Sequence, residues 1–597
     1  MTRRCVPWIL LCALLFGSTG CSLFSDPSPQ DAFRAFAEAL GRKDAAAAGA
    51  VTDDQTAATA AITSMLNGMA KDATLKVGTS QPGDDEKTAT LDYSWSFGND
   101  KAFDYATTAT ATQAGDDWRV HWDTTVLNPK LKPGMTFQYS DEKNFLTPVT
   151  DRDGQPLLTW QTIGVVNLTR EHLDSAGALA NVLHAFDDTI TAESVAAQFS
   201  GTSDDVVTVV KLRQDDLATV NDQLAQIPGV SVVEQGALLT ANRDLYSPAV
   251  DGLHELWQKA IDESAGWSVT LVSTEGPNKG QPTEQLASTP PRETPPLRTT
   301  LDVRLQLLAQ QAVAKEARPA VLVAISPSTG GILAAAQNAA ASAQGPIAFS
   351  GAYPPGSTFK TITTAAALQA GLAEPGTPEA CPGTVTVENR TIPNEDEFDL
   401  GTVPLSTAFA KSCNTTMAAL ADRLPADALP KMARLFGIGV DFVVPGLTTI
   451  TGNVPNADTP AQKVENGIGQ GTVTVSPFGL AVAEASLGHG STITPTLVVG
   501  ETTTADTPSQ PIPGPVVDDL REMMRQTVAD GTATTLQDVP GLGGKTGTAE
   551  FGDNTHSHGW FAGIAGDIAF ATLVVGGDTS SPAVAVSGDF LRPAVTG

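Results

Sequence analysis

Apolar residues recur at helical spacing in "DAFRAFAEALGRKD" (residues 31–44), directly after the helix-starting "SDPSPQ". "ATLDYSWSFG" and "WRVHWDTTV" instead alternate apolar and polar positions, which predicts strands. The stretch leaves through the proline-rich "NPKLKPGMTF", so residues 26–142 read as a small α+β domain. A second unit, 144–290, opens with "TDRDGQPL", where Asp153-Gly154 signals a turn between strands. It continues through a helical hairpin-like region to the strand-like "GWSVTLV". "EGPNKGQPTEQLASTPPRETPPL" (275–297) is polar and proline-rich and predicts an exposed linker. From 298 to 597, "AVLVAISPSTGGILAAA" reads as strand, turn, strand. Alanine-rich helices such as "FKTITTAAALQAGL" follow, and the chain returns to strands in "GLGGKTGTAEF", "HGWFAGIAG" and "IAFATLVVGG". An antiparallel sheet covered by helices is expected there, within a multidomain α+β protein.

Length and charge narrow the classes. At 597 residues the chain is too long for one core. Its net charge of -30, from 66 acidic and 36 basic residues, repels nucleic acid and excludes it as a partner. The seven histidines form no HExxH and the cysteines no CxxC, so no metal or other cofactor is expected. Cys381 and Cys413 are the cysteines of the body; the residues leave open whether they bond.

At the start, Arg3 and Arg4 precede the apolar run Val6 to Phe16, which is too short to span a bilayer. The "GSTGC" that follows resembles a bacterial lipoprotein signal, with Ser18 where leucine is usual. That resemblance implies a signal peptide over 1–21, lipidation of Cys21 and export to the outer face of the cytoplasmic membrane. A plain signal peptide or an uncleaved anchor is the alternative.

Chemistry concentrates in three short stretches. "YPPGSTFK" sets Ser357 and Lys360 three residues apart at the opening of a predicted helix, so both can lie on one face. Read as chemistry, that is a nucleophile with its base and with helix N-terminal N–H groups for an oxyanion. Read as structure, Ser357 is only a helix cap. "AKSCNTTM" adds Ser412, able to relay a proton, and Asn414, able to hold an amide. "LGGKTGTAEF" adds Lys545, Thr546, Gly547 and Thr548 on a strand cleared by glycines, along which a peptide can pair. The order SxxK, SxN, KTG makes the set specific where each piece alone is not.

With these motifs, and with "RTTLDVRLQLLAQQAV", "GIGQGTVTVSP", "LGHGSTITPTLV" and "HGWFAGIAG", residues 298–597 resemble the transpeptidase domain of penicillin-binding proteins. Residues 144–290 resemble their dimerisation, or pedestal, domain. "DDWRVHWDTTVLNPKLKPGMTF" resembles the NTF2-like N-terminal domain of MecA-type members. The whole is similar to a class B enzyme. The resemblance implies a serine D,D-transpeptidase that cross-links peptidoglycan. Ser357 attacks a D-Ala-D-Ala stem peptide and Lys360 is the base. Ser412 and Lys545 relay the proton, Asn414 holds the donor amide, and Thr546, Gly547 and Thr548 line the carboxylate site. The backbone N–H groups of Ser357 and Thr548 form the oxyanion hole. The implied partners are stem peptides, β-lactams, the cell membrane, and a cell-wall polymerase or division and elongation proteins. A non-catalytic scaffold, a D,D-carboxypeptidase and a β-lactamase using Glu465 are the alternatives. His556 and His558 read as an exposed turn before a strand.

Overall fold

The computed structural model describes residues 27–80, 86–98, 100–552 and 555–596, so Cys21 and the expected signal peptide lie outside the described residues. The chain divides into two units.

The first unit takes residues up to Asn144 together with Ser264–Glu293. Its first helix, Pro29–Gly41, starts where the sequence places it. Ser28 and Asp31 cap each other reciprocally, and Pro29 occupies the first turn, where a missing N–H costs nothing. The helical spacing buries Phe33, Phe36 and Leu40. Two more helices lead to a four-stranded antiparallel sheet in sequence order. On its strand Thr88–Ser96 the period of two sends Leu91, Tyr93 and Trp95 into the core.

A separate three-stranded sheet joins Met135–Glu142 to Gly266–Ser273 and Pro282–Thr289. This differs from the sequence reading, which gives 266–273 to the pedestal and makes 275–297 a linker. The alternation in "GWSVTLV" buries Trp267, Val269 and Leu271 in the first unit's core. "PTEQLAST" then pairs back along that strand as its exposed neighbour. The turn at 274–281 and the proline-rich 290–296 remain irregular, the prolines of the latter lacking the N–H a ladder needs.

The second unit holds Phe145–Glu263 and Thr294–Gly597. In its first part the long strand Pro156–Thr169 pairs antiparallel with both Val206–Arg213 and Val230–Thr240. The Asp153-Gly154 turn forms: Asp151 accepts from the N–H of Asp153 and of Gln155, and Gly154 has φ 85°. In its second part a five-stranded antiparallel sheet runs in the order Ile332–Gln337, Ala320–Ile325, Ile568–Val574, His556–Ala565, Gly543–Phe551. Strands from the two ends of the region thus share one sheet. The uninterrupted apolar runs "AVLVAI" and "ILAAAQ" are buried on both faces. Pro477–His489 packs on one face; Val303–Ala314 and Ser581–Thr596 cover the other. The KTG strand, Gly543–Phe551, is the sheet's edge.

Candidate active site

Pro354 and Pro355 bring the chain to the KTG edge, where Gly356 turns it with φ 51°. A Cβ on Gly356 would sit 2.3 Å from the Thr548 carbonyl oxygen, so glycine alone fits both the backbone angle and the space. Gly547 clears the other side, where a Cβ would lie 2.8 Å from the Pro355 oxygen. The turn is pinned by Trp560 Nε1 donating to Pro354 O and by Gly356 N donating to Gly469 O, each at 2.9 Å.

Ser357 sits on the single 3₁₀ turn Gly356–Phe359, and the helix Lys360–Gln369 begins only after it. Its side chain caps neither element. The helix-cap reading of this serine therefore lacks its hydrogen bond. Ser357 is half-buried and lines a cleft of about 530 Å³ together with Ser412, Asn414, Thr546 and Thr548.

Lys360 is fully buried, and its Nζ faces the SxN motif. It donates to Ser412 O at 2.7 Å, Ser412 Oγ at 3.1 Å and Asn414 Oδ1 at 2.6 Å. Burial, then the nearby Lys545, holds its pKa well below the ordinary lysine value, against the opposing pull of Glu395. A neutral amine is thereby accessible to act as a base. Ser412 reaches this position in the left-handed region, with φ 62°. It ends the helix Leu405–Ala410, and Asn414–Arg423 starts two residues later. A serine held there costs about 1 kcal/mol or more, which the surrounding packing must offset.

Part of that support is Asn394, which sequence reading missed. It is 2% exposed and caps the SxN helix from outside it. Its Oδ1 accepts from the N–H of Asn414 at 2.8 Å and of Thr415 at 3.1 Å. Its Nδ2 donates to Pro382 O and Phe398 O. Asn414 Nδ2 in turn donates to Pro393 O at 2.8 Å. Capping from a remote segment leaves no trace in local spacing. The Cys381–Cys413 disulfide, with Cα atoms 6.2 Å apart, ties the same segment to the same loop. Closing that 32-residue separation disfavours the unfolded chain by about 4 kcal/mol in the chain-entropy account.

On the KTG strand Lys545 is fully buried. Its Nζ donates to Thr546 O at 3.0 Å and lies 5.8 Å over the Phe409 ring. Burial lowers its pKa to about 7, with Glu395 pulling the other way. Thr546 Oγ1 shares a 2.6 Å hydrogen bond with Thr532 Oγ1, a second residue the sequence did not single out. Thr532 and Glu395 both line the cleft.

The structure thus brings Ser357, Lys360, Ser412, Asn414, Lys545, Thr546, Gly547 and Thr548 together at one strand edge. The two histidines differ from expectation. Both belong to the strand His556–Ala565, and His558 is buried, stacked 4.1 Å from Phe551 with Nδ1 accepting from Gly576 N. Burial lowers its pKa to about 4, so it is neutral. Glu465 is held by Arg390 at 2.5 Å.

A family model for the penicillin binding protein transpeptidase domain matches residues 320–593, and one for the NTF2-like N-terminal transpeptidase domain matches 28–135. The chain is 32% identical over 332 residues to the peptidoglycan D,D-transpeptidase PbpA of Mycobacterium tuberculosis, spanning 47% of this chain and 67% of that protein. It is 33% identical over 312 residues to PbpA of Mycolicibacterium smegmatis (44% and 62% of the two chains). To the peptidoglycan D,D-transpeptidase MrdA of Acinetobacter baumannii it is 24% identical over 409 residues (57% and 61%). With its three motifs meeting at the edge of a helix-covered antiparallel sheet, and with these relatives, the chain belongs to the penicillin-binding protein transpeptidases that carry an NTF2-like N-terminal domain.

Proposed function

We propose that the protein is a peptidoglycan D,D-transpeptidase of class B type, working through an acyl-enzyme on Ser357. The observation that carries this reading is the triple hydrogen bond from Lys360 Nζ to the SxN motif, one turn from an uncapped serine. Lys360 takes the Ser357 proton as Oγ attacks the carbonyl between the last two D-alanines of a stem peptide. The Ser357 and Thr548 N–H groups receive the oxyanion. Ser412 and Lys545 pass a proton to the departing D-alanine amine. Thr546 and Thr548 hold its carboxylate, and Asn414 holds the donor amide. The amine of a neighbouring stem peptide then takes the acyl group and restores Ser357. β-Lactams acylate the same serine.

The NTF2-like unit serves as a spacer, residues 145–263 as a pedestal, and 298–597 as the catalytic domain. Lipid on Cys21 anchors the exported chain at the outer face of the cytoplasmic membrane. There it works beside a cell-wall polymerase or division and elongation proteins. Among the described residues no helix is long and apolar enough to cross a membrane.

Incubation with a stem pentapeptide tests the reaction. Release of D-alanine with a cross-linked peptide dimer is expected. Release with only the trimmed peptide would make the protein a carboxypeptidase, and no release with either would leave a scaffold.

A further inference from the structure

Two threonine hydroxyls meet at the KTG motif with one proton to spare. Thr546 is 3% exposed, and its Oγ1 lies 2.6 Å from Thr532 Oγ1. A threonine hydroxyl carries one proton and two lone pairs, so their mutual hydrogen bond uses one of the two protons. Among the described residues neither Oγ1 has another hydrogen-bond partner. The second proton is therefore available to a group in the cleft, which both residues line.

Thr532 is held in place from the side of the SxN motif. The helix Gly514–Ala529 ends at Asp530, whose carbonyl accepts from Nζ of Lys411, the neighbour of Ser412. Gly531 packs on the same segment, where a Cβ would lie 2.4 Å from Ala410 O. Ala533 N donates to Thr527 O and closes the turn. The turn 530–532 is thus fixed to the backbone beside Ser412, while its hydroxyl reaches the KTG strand. It joins the second motif to the third.

An ionised carboxylate only accepts hydrogen bonds. Thr546 can donate to one only if its proton is not spent on Thr532. One order meets both conditions: Thr532 donates to Thr546, and Thr546 donates to the anion. In such a chain each bond polarises the next. Resting on the transpeptidase reading, we infer that Thr532 is a positioning residue of the donor's carboxylate site. Its hydroxyl donates to Thr546 Oγ1 and turns the Thr546 proton onto the carboxylate beside the scissile bond. The pair thereby favours donors whose leaving group is an anion.

The test measures thiol release by the full chain from two acyl donors. One is the N-benzoyl-D-alanyl thioester of mercaptoacetate, whose leaving group carries a carboxylate. The other is the same thioester of methyl mercaptoacetate, which carries none. The wild type is expected to prefer the first. Thr532→Val keeps the shape and loses the hydroxyl. In it the ratio of the two kcat/KM values is expected to fall about fivefold, the worth of one hydrogen bond, with the fall in KM for the carboxylate donor. Thr532→Ser restores the ratio. An equal fall for both donors would overturn the proposal, because a merely structural threonine supports them alike. So would an unchanged ratio, a serine variant that behaves as the valine one, or a wild type without preference for the carboxylate. If the wild type releases thiol from neither donor, the parent transpeptidase reading fails first, and the role of Thr532 with it.

Discussion

Lys360 Nζ lies 2.6 Å from Asn414 Oδ1, joining the first motif to the second through a fully buried amine. The ammonium is satisfied by three oxygens yet shut away from water. Its burial therefore decides its protonation as much as its partners do.

The pH dependence of acylation follows. Lys360 must be neutral to act, and its pKa is lowered, so acylation rises along an acid limb well below the ordinary lysine value of 10.5. Lys545 titrates at about 7, so the step that uses its charge weakens above that pH. The predicted profile of second-order acylation is a bell. Lys545→Arg keeps the charge but cannot hand on a proton, so it removes the alkaline limb and also lowers the rate at every pH. Lys360→Met lowers the rate by about 10²–10⁴, the worth of a positioned base.

Gly356 should tolerate no side chain. In Gly356→Ala the new Cβ meets the Thr548 backbone oxygen at 2.3 Å, and φ 51° is left-handed. Neither the strand nor the turn yields cheaply. Acylation is expected to fall by about 10² or more, the scale of a displaced oxyanion donor. Stopped-flow acylation with a chromogenic β-lactam measures it.

Asn394 should matter far beyond its distance from the serine. Asn394→Ala strands two N–H groups and two carbonyls in a buried place, which costs about 2–3 kcal/mol. Chemical unfolding reads the loss of stability. A slower acylation by the remaining folded protein reads the displacement of Asn414.

Glu484 supplies a pH-dependent cost unrelated to the site. It is 1% exposed on the helix Pro477–His489, and its Oε2 lacks a hydrogen-bond partner among the described residues. Burial raises its pKa from 4.5 to about 8. The folded state thus holds the proton more tightly than the unfolded state. The stability this gives is full below pH 4.5 and is lost as pH rises to about 8. Glu484→Gln, which cannot ionise, should lose about 2 kcal/mol less stability than the wild type between pH 6 and pH 8.5. Equal losses in both proteins would contradict this.

Local chemistry made much of this molecule legible. The capped first helix, the Asp153-Gly154 turn and the motif residues each announce themselves within a few positions. Long-range pairing did not. Pro282–Thr289 looked like a linker because its residues are polar and proline-flanked, yet an edge strand with one wet face needs little more. Asn394 and Thr532 act through partners 20 and 14 residues away, at distances no local pattern encodes. His558 read as part of an exposed turn because the polar run "DNTHSH" set the start of the predicted strand too late; the strand begins at His556 and buries His558.

The most direct test is the intact mass of the protein followed in time after benzylpenicillin is added, beside Ser357→Ala. A lasting adduct of one penicillin on the wild type and none on the variant is the predicted result. An adduct on both proteins would contradict the assignment of Ser357. An adduct on the wild type that disappears within seconds as the penicillin is consumed would make the protein a β-lactamase.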